Sequence, residues 1–152
     1  MLRRNLTIRK KMGRGALIFL AGLLAAAAAQ AEPALKPIKE SYAYQQFSRR
    51  KATELSKLLY LLDRFKDSEY HVLYDGMEYD AVTALKYARQ YVAKHYRQEK
   101  ASEWLQKNAY RSVQQGNIIY IKEPDATTRI LRDVLLEELQ TLEALKPAGA
   151  KS

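Results

Sequence analysis

The first thirty-one residues are built to be removed rather than folded. Six cations (Arg3, Arg4, Arg9, Lys10, Lys11, Arg14) and no acid fall in the first fifteen positions. An unbroken apolar run follows from Ala16 to Ala29 and closes on Ala29-Gln30-Ala31, ahead of Glu32 and Pro33. A basic start, a short apolar centre and an A-x-A end make a secretory signal peptide, with Ala29 and Ala31 as the small residues that signal peptidase reads. As a helix the run rises only about 21 Å, against a hydrocarbon core of about 30 Å, so it is short for a permanent span. The alternative is a retained anchor, which the alanines of 25–29 disfavour by thinning its hydrophobicity. The chain has no cysteine, which excludes a lipoprotein. Arg3-Arg4 resembles the opening of a twin-arginine signal, but Asn5-Leu6-Thr7 continues that pattern poorly, so Sec export is expected. The expected destination is the periplasm, with membrane contact only through this segment before cleavage.

Removing the signal changes what the charge means. The chain carries 26 Lys and Arg against 17 Asp and Glu, a formal +9 that on its own suggests nucleic acid or an anionic surface. Six of those cations and none of the acids lie in the signal, which leaves 20 against 17, or +3. The longest basic tract left is Arg49-Arg50-Lys51, so no nucleic-acid partner is expected. The lack of cysteine also rules out disulfide bracing and thiolate chemistry. About 120 residues suffice for one unstapled core. The expected organisation is a signal peptide over 1–31, a flexible tether over 32–40, one globular domain over 41–146 and a disordered tail over 147–152.

Within the domain, Phe47, Leu55, Leu58, Leu59, Leu62 and Phe65 recur at helical spacing and predict a helix from Ser41 to Phe65. Tyr70 to Tyr74 is aromatic and β-branched, and Asp75-Gly76 follows it, so a hairpin returning through Met77 to Tyr79 is expected. Asp80 is the expected N-cap of a second helix reaching Glu99, with Val82, Leu85, Ala88 or Arg89, and Val92 on one face. A short helix over Ala101 to Tyr110 carries Trp104, Leu105 and Ala109. A turn at Gln114 to Asn117 precedes a strand over Ile118 to Lys122, and Pro124-Asp125 breaks it. The last helix, Thr127 to Leu145, presents Leu131, Val134, Leu135, Leu139 and Leu142. The fold class is α+β, mainly α-helical, with about four helices and a small antiparallel β element.

Catalytic signals are absent. His71 and His95 show no ligand spacing, and no nucleophile-elbow or S-x-x-K pattern surrounds any serine. No catalytic residue, metal site or cofactor is expected. The acids Asp67, Glu69, Asp75, Glu78 and Asp80 cluster around the hairpin, where turns and caps account for them. Tyrosine is the unusual residue, with eleven, all beyond the signal. Tyr offers contact area with a polar tip, which suits a core rim or a recognition surface.

The order of landmarks resembles the YfeK-like family of small periplasmic proteins of proteobacteria, assigned to a domain of unknown function. The likeness spans about Glu54 to Leu142. Ser68-Glu69-Tyr70-His71-Val72-Leu73-Tyr74-Asp75-Gly76 is similar to a family segment ending in Arg-Asn-Gly, of which only Gly76 is kept. Ala101-Ser102-Glu103-Trp104-Leu105 resembles its Ala-Glu-x-Phe-Ile helix start. Ser112 to Gly116 with Tyr120 resembles its Ser-rich turn before a Tyr strand, with Val113 and Gln115 in place of serines. The resemblance implies periplasmic residence and no established activity.

Two functional expectations follow. The first is a non-enzymatic binding or structural module of the envelope, using Tyr74, Asp75, Glu78, Tyr79, Ser112, Gln115 and Asn117 to hold an envelope protein or a cell-wall glycan. The alternative is a small hydrolase acting on an envelope glycan or peptide, which needs His71 and a carboxylate of Asp75 or Glu78 to converge in a pocket.

Overall fold

In the computed structural model, which describes residues 35–145, the first three α-helices each start where an N-cap side chain meets an apolar stripe. Ser41 accepts the Tyr44 amide at 3.2 Å and opens α1 (Tyr42–Ser48). Thr53 and Ser56 form a reciprocal capping box that opens α2 (Glu54–Phe65). The single helix expected from Ser41 to Phe65 is therefore two. Phe47 and Leu55 lie eight residues apart, close to two helical turns, so the apolar period runs through the break without registering it. The local cap wins, and Phe47 still meets Tyr60 edge-on at 5.7 Å across the joint.

Asp75 (φ 50°) and Gly76 (φ 80°) make the expected two-residue turn between β1 (His71–Tyr74) and β2 (Met77–Asp80). Asp80 caps α3 (Ala81–His95) by accepting the Thr83 amide at 2.7 Å. This helix stops four residues earlier than expected, and Gln98 beyond it takes a left-handed φ of 64°. Its expected face holds at Val92, which is buried, and at Leu85 and Ala88, which are half-buried, and departs at one position. Val82, expected inward, is 64 % exposed, and Ala81 takes the buried position instead. α4 spans Ala101–Asn108 and buries Trp104 and Leu105.

β3 (Tyr120–Lys122) is shorter than the expected strand, with Ile118 held in a bridge to Arg111. A fourth strand, β4 (Thr128–Ile130), occupies what was expected to be the first turn of the last helix, and α5 (Leu131–Ala144) begins after it. Non-local pairing explains the change. Tyr120, Ile121 and Lys122 pair with Ile130, Arg129 and Thr128, which satisfies backbone groups along the free side of β3. The described residues thus hold five α-helices and one antiparallel sheet ordered β2-β1-β3-β4, a mainly helical α+β fold.

The sheet register assigns its faces. Val72, Tyr79 and Ile121 are cross-strand partners on the helix-covered side, while Leu73, Glu78 and Tyr120 share the open side. α3 packs on β1 and β2, and α5 on β3 and β4. Two apolar clusters result. One joins α1, α2, α4 and α5 around Leu58, Tyr60, Leu61, Leu105 and Leu139, and the other joins Phe65, Tyr70, Ile121 and Val134. A polar knot ties the first together. Glu138 accepts from the Tyr60 hydroxyl at 2.7 Å and from Arg64 Nε at 2.6 Å, while a second Arg64 nitrogen donates to the Lys36 carbonyl.

Of the expected tether, residues 35–40 are described. Ile38–Glu40 form a 3-10 turn and Ile38 is buried in the first cluster, so the packed domain begins before Ser41. The expected signal peptide over 1–31 and tail over 147–152 lie outside the described residues. Among the described residues no helix is long and apolar enough to cross a membrane.

Candidate functional site

The two polar turns expected to contribute to one surface are joined by hydrogen bonds. Asp75 Oδ1 accepts from Ser112 Oγ at 2.6 Å and from Asn117 Nδ2 at 3.0 Å. Ser112, itself buried, also accepts the amides of Gln115 at 3.3 Å and Asn117 at 3.2 Å. Asn117 donates in addition to Gln115 Oε1 at 3.1 Å. The Tyr74 hydroxyl accepts the Val113 amide at 3.2 Å. Residues 37 apart in sequence, Asp75 and Ser112, thereby hold the hairpin tip against the loop that precedes β3. Ser112 Oγ is spent on this joint, and neither histidine is among its hydrogen-bond partners.

Glu78 belongs elsewhere. It lies on the open side of the sheet, bound by Lys122 Nζ at 3.0 Å, with His71 Nδ1 3.8 Å away and beyond hydrogen-bond reach. Tyr79 sits on the opposite face, edge-on to Tyr87 of α3 at 6.2 Å. The sequence-predicted residues therefore divide into two groups. Tyr74, Asp75, Ser112, Gln115 and Asn117 form one hydrogen-bonded rim. Tyr74 and Tyr79 line the space behind it, while Asp75 and Asn117 border a second hollow with Gly76, Arg111 and Tyr120. Glu78 stands apart.

That space was not expected from the sequence. A cleft of about 490 Å³ lies between the helix-covered face of the sheet and helices α2, α3, α4 and α5. Tyr74 and Tyr79 wall it from the sheet, Ala84, Ala88 and Tyr91 from α3, and Trp104 and Leu105 from α4. It exists because α3 offers Ala81, Ala84 and Ala88 to the sheet, where bulkier side chains would fill the gap. Tyr91 closes one end, edge-on to Trp104 at 6.1 Å and donating to Asn108 Oδ1 at 3.2 Å. Burial pushes up the phenol of Tyr70, another wall residue, keeping it neutral well into alkaline solution. Trp104 Nε1 is buried and has no hydrogen-bond partner among the described residues. The lining contains one charged residue, Arg111, whose guanidinium stands 5.0 Å over the Tyr110 ring and donates to the Gly116 carbonyl at 2.8 Å.

Among the described residues no group of three or more His, Cys, Asp or Glu is placed to hold a metal ion. No family model, curated protein or solved structure matches this chain. The chemistry available at the site is thus read from its own walls: apolar and aromatic contact, two or three polar tips, and one cation.

Proposed function

We propose that the chain is an exported, non-enzymatic binding module of the bacterial envelope, and that the Tyr-walled cleft with its hydrogen-bonded rim is its binding site. The single observation that carries the reading is the Tyr-walled apolar cleft itself, at which the joined turns contribute Tyr74 and Val113, held together by the Val113 amide donating to the Tyr74 hydroxyl. A cleft of this size falls in the ~300–1,000 Å³ range of ligand sites, which are mostly apolar with a few placed polar groups. An envelope protein presenting an apolar segment, or an apolar small molecule, suits these walls better than a cell-wall glycan, whose hydroxyls would lose water without finding partners. The periplasmic address and the YfeK-like resemblance belong to the same proposal.

The hydrolase alternative has less to recommend it. His71 and Glu78 stand on the open face of the sheet, away from the cleft, and Asp75 is held by Ser112 and Asn117 through Oδ1 with neither histidine among its partners.

The test is photocrosslinking in intact cells from position 113, an exposed site beside the rim. Discrete adducts are expected, together with a mature N-terminus at Glu32 by mass spectrometry. Adducts unchanged in a folded Tyr74→Ala, Tyr79→Ala protein would remove the cleft from the reading.

A further inference from the structure

The walls of the cleft specify the guest more narrowly than "apolar". The volume, about 490 Å³, is roughly three times that of the ~150 Å³ apolar cavity that takes a benzene, so it has room for a guest of about eighteen carbons. No carboxylate and no lysine line it, and its one charge is Arg111. Among the described residues Arg111 takes part in no ion pair, and its known partners are a neutral ring and a carbonyl. Asp75 borders a neighbouring hollow with Arg111 without an ion pair to it; its Oδ1 is bound by Ser112 and Asn117, and its Oδ2 is buried without a partner among the described residues. One positive group in an otherwise uncharged apolar lining is complementary to a single tail ending in an anion.

Building on the proposed binding role, we infer that the cleft binds a free long-chain carboxylate, a fatty acid of about eighteen carbons, with its tail between α3 and the sheet and its head at Arg111. The chain carries one tryptophan, Trp104, and it stands in the wall, so seating of a tail is directly readable. A brominated chain quenches indole fluorescence only at close range.

The experiment titrates the protein, in the form that accumulates in cells, with 9,10-dibromostearate, and in parallel with the corresponding alcohol. Saturable one-to-one quenching by the acid is expected. Ala84→Phe and Ala88→Leu, each checked for folding by circular dichroism, should abolish or strongly weaken it by filling the cleft. Arg111→Gln should weaken the acid about tenfold, equivalent to one charge-assisted contact, and leave the alcohol unchanged. No saturable quenching, or quenching indifferent to both filling variants, overturns the inference. So does an equal response of acid and alcohol to Arg111→Gln. Quenching seen only with vesicles of brominated phosphatidylglycerol assigns the cleft to a membrane surface and overturns it too. If dibromostearate fails while the in-cell adducts still depend on Tyr74 and Tyr79, the binding role stands and only the ligand class falls. Failure of both removes both.

Discussion

Glu138 on α5 should be the most sensitive single position in the polar framework, and Glu138→Leu tests this. One carboxylate oxygen, Oε1, receives both the Tyr60 hydroxyl and Arg64 Nε. The Arg64 side chain is only 6 % exposed and that of Glu138 15 %. Leucine in place of Glu138 leaves a buried guanidinium without its counter-charge and a buried phenol without its acceptor. Removing one partner of a buried pair costs about 3–5 kcal/mol. Arg64 keeps its bond to the Lys36 carbonyl, and Glu138 retains some solvent, so the lower end, about 3 kcal/mol, applies. For a domain near 110 residues this is a fall in Tm of about 12 °C, at roughly 4 °C per kcal/mol. Tyr60→Phe removes only a hydrogen bond to a charged acceptor, about 1.5 kcal/mol. Because both donors share one oxygen, the double variant should cost less than the sum, with a coupling of about 1 kcal/mol. Urea unfolding followed by Trp104 fluorescence and far-ultraviolet circular dichroism measures all three. A cost below about 1 kcal/mol for Glu138→Leu is what an exposed pair gives, and it would refute the buried-knot account.

Three further outcomes are expected. Burial first, and then the hydrogen bond to Glu138, push the Tyr60 phenol far above its ordinary value of 10.0. The folded state therefore resists its ionisation, so the Tyr60 contribution is intact below pH 10 and is lost as pH rises beyond it. Urea midpoints from pH 8 to 11 should fall less steeply in Tyr60→Phe. The Lys57 ammonium, and after it the Ala101 amide, hold the Glu54 carboxyl below its ordinary 4.5. Its stabilisation is present above that value and disappears as pH falls through the lower folded one, so Glu54→Gln should flatten the acid limb below about pH 4.5. Gly76→Ala should cost about 1 kcal/mol by urea unfolding, the penalty for a side chain in a left-handed conformation, since φ is +80° and no atom lies near enough to clash.

The elements that could be read from sequence are those whose cause is local. Asp75-Gly76 requires positive φ at two successive residues, Asp80 precedes a helix it can cap, and the Leu face of α5 repeats cleanly. What could not be read is set by distant partners. Thr128–Ile130 becomes a strand only because β3 lies alongside, and nothing within those three residues distinguishes them from a first helical turn. Glu54 caps α4 from 47 residues away, accepting the Ala101 amide at 2.8 Å, and no local pattern signals it. The rim was half legible. Polar turns at 75–76 and 112–117 stood out individually, and Asp75 meeting Ser112 is a tertiary fact. The cleft was invisible for a different reason. Periodicity registers large side chains. Leu85, Ala88 and Val92 of the expected face do line the cleft, but Val82 stood where Ala81 turns inward, and Ala84 gave no signal, so the gap left by small residues went unmarked.

A cleft of this size should tend to collapse, because an unfilled apolar space forfeits contacts along its walls. The frame resists that collapse by being tied elsewhere. The two core clusters meet through Leu135, and the cleft lies at their seam and takes walls from both, Leu58, Leu61 and Leu105 from one and Phe65 and Ile121 from the other. Polar joints hold the seam apart: Asp63 binds Arg50 and Arg89 across the α2–α3 side, and Asp75 binds Ser112 at the rim. Stability and openness are then in conflict at Ala88, which is half-buried on the cleft side of α3. Leucine there buries three more carbons, a gain of up to about 2 kcal/mol at roughly 0.8 per carbon if they seat well. In a space already filled, the same change would cost about 1–3 kcal/mol through overpacking. Ala88→Leu should therefore melt higher than the parent protein while losing its ligand. A lower Tm would mean that the alanines pack against a closed core and that no binding cleft lies behind the rim.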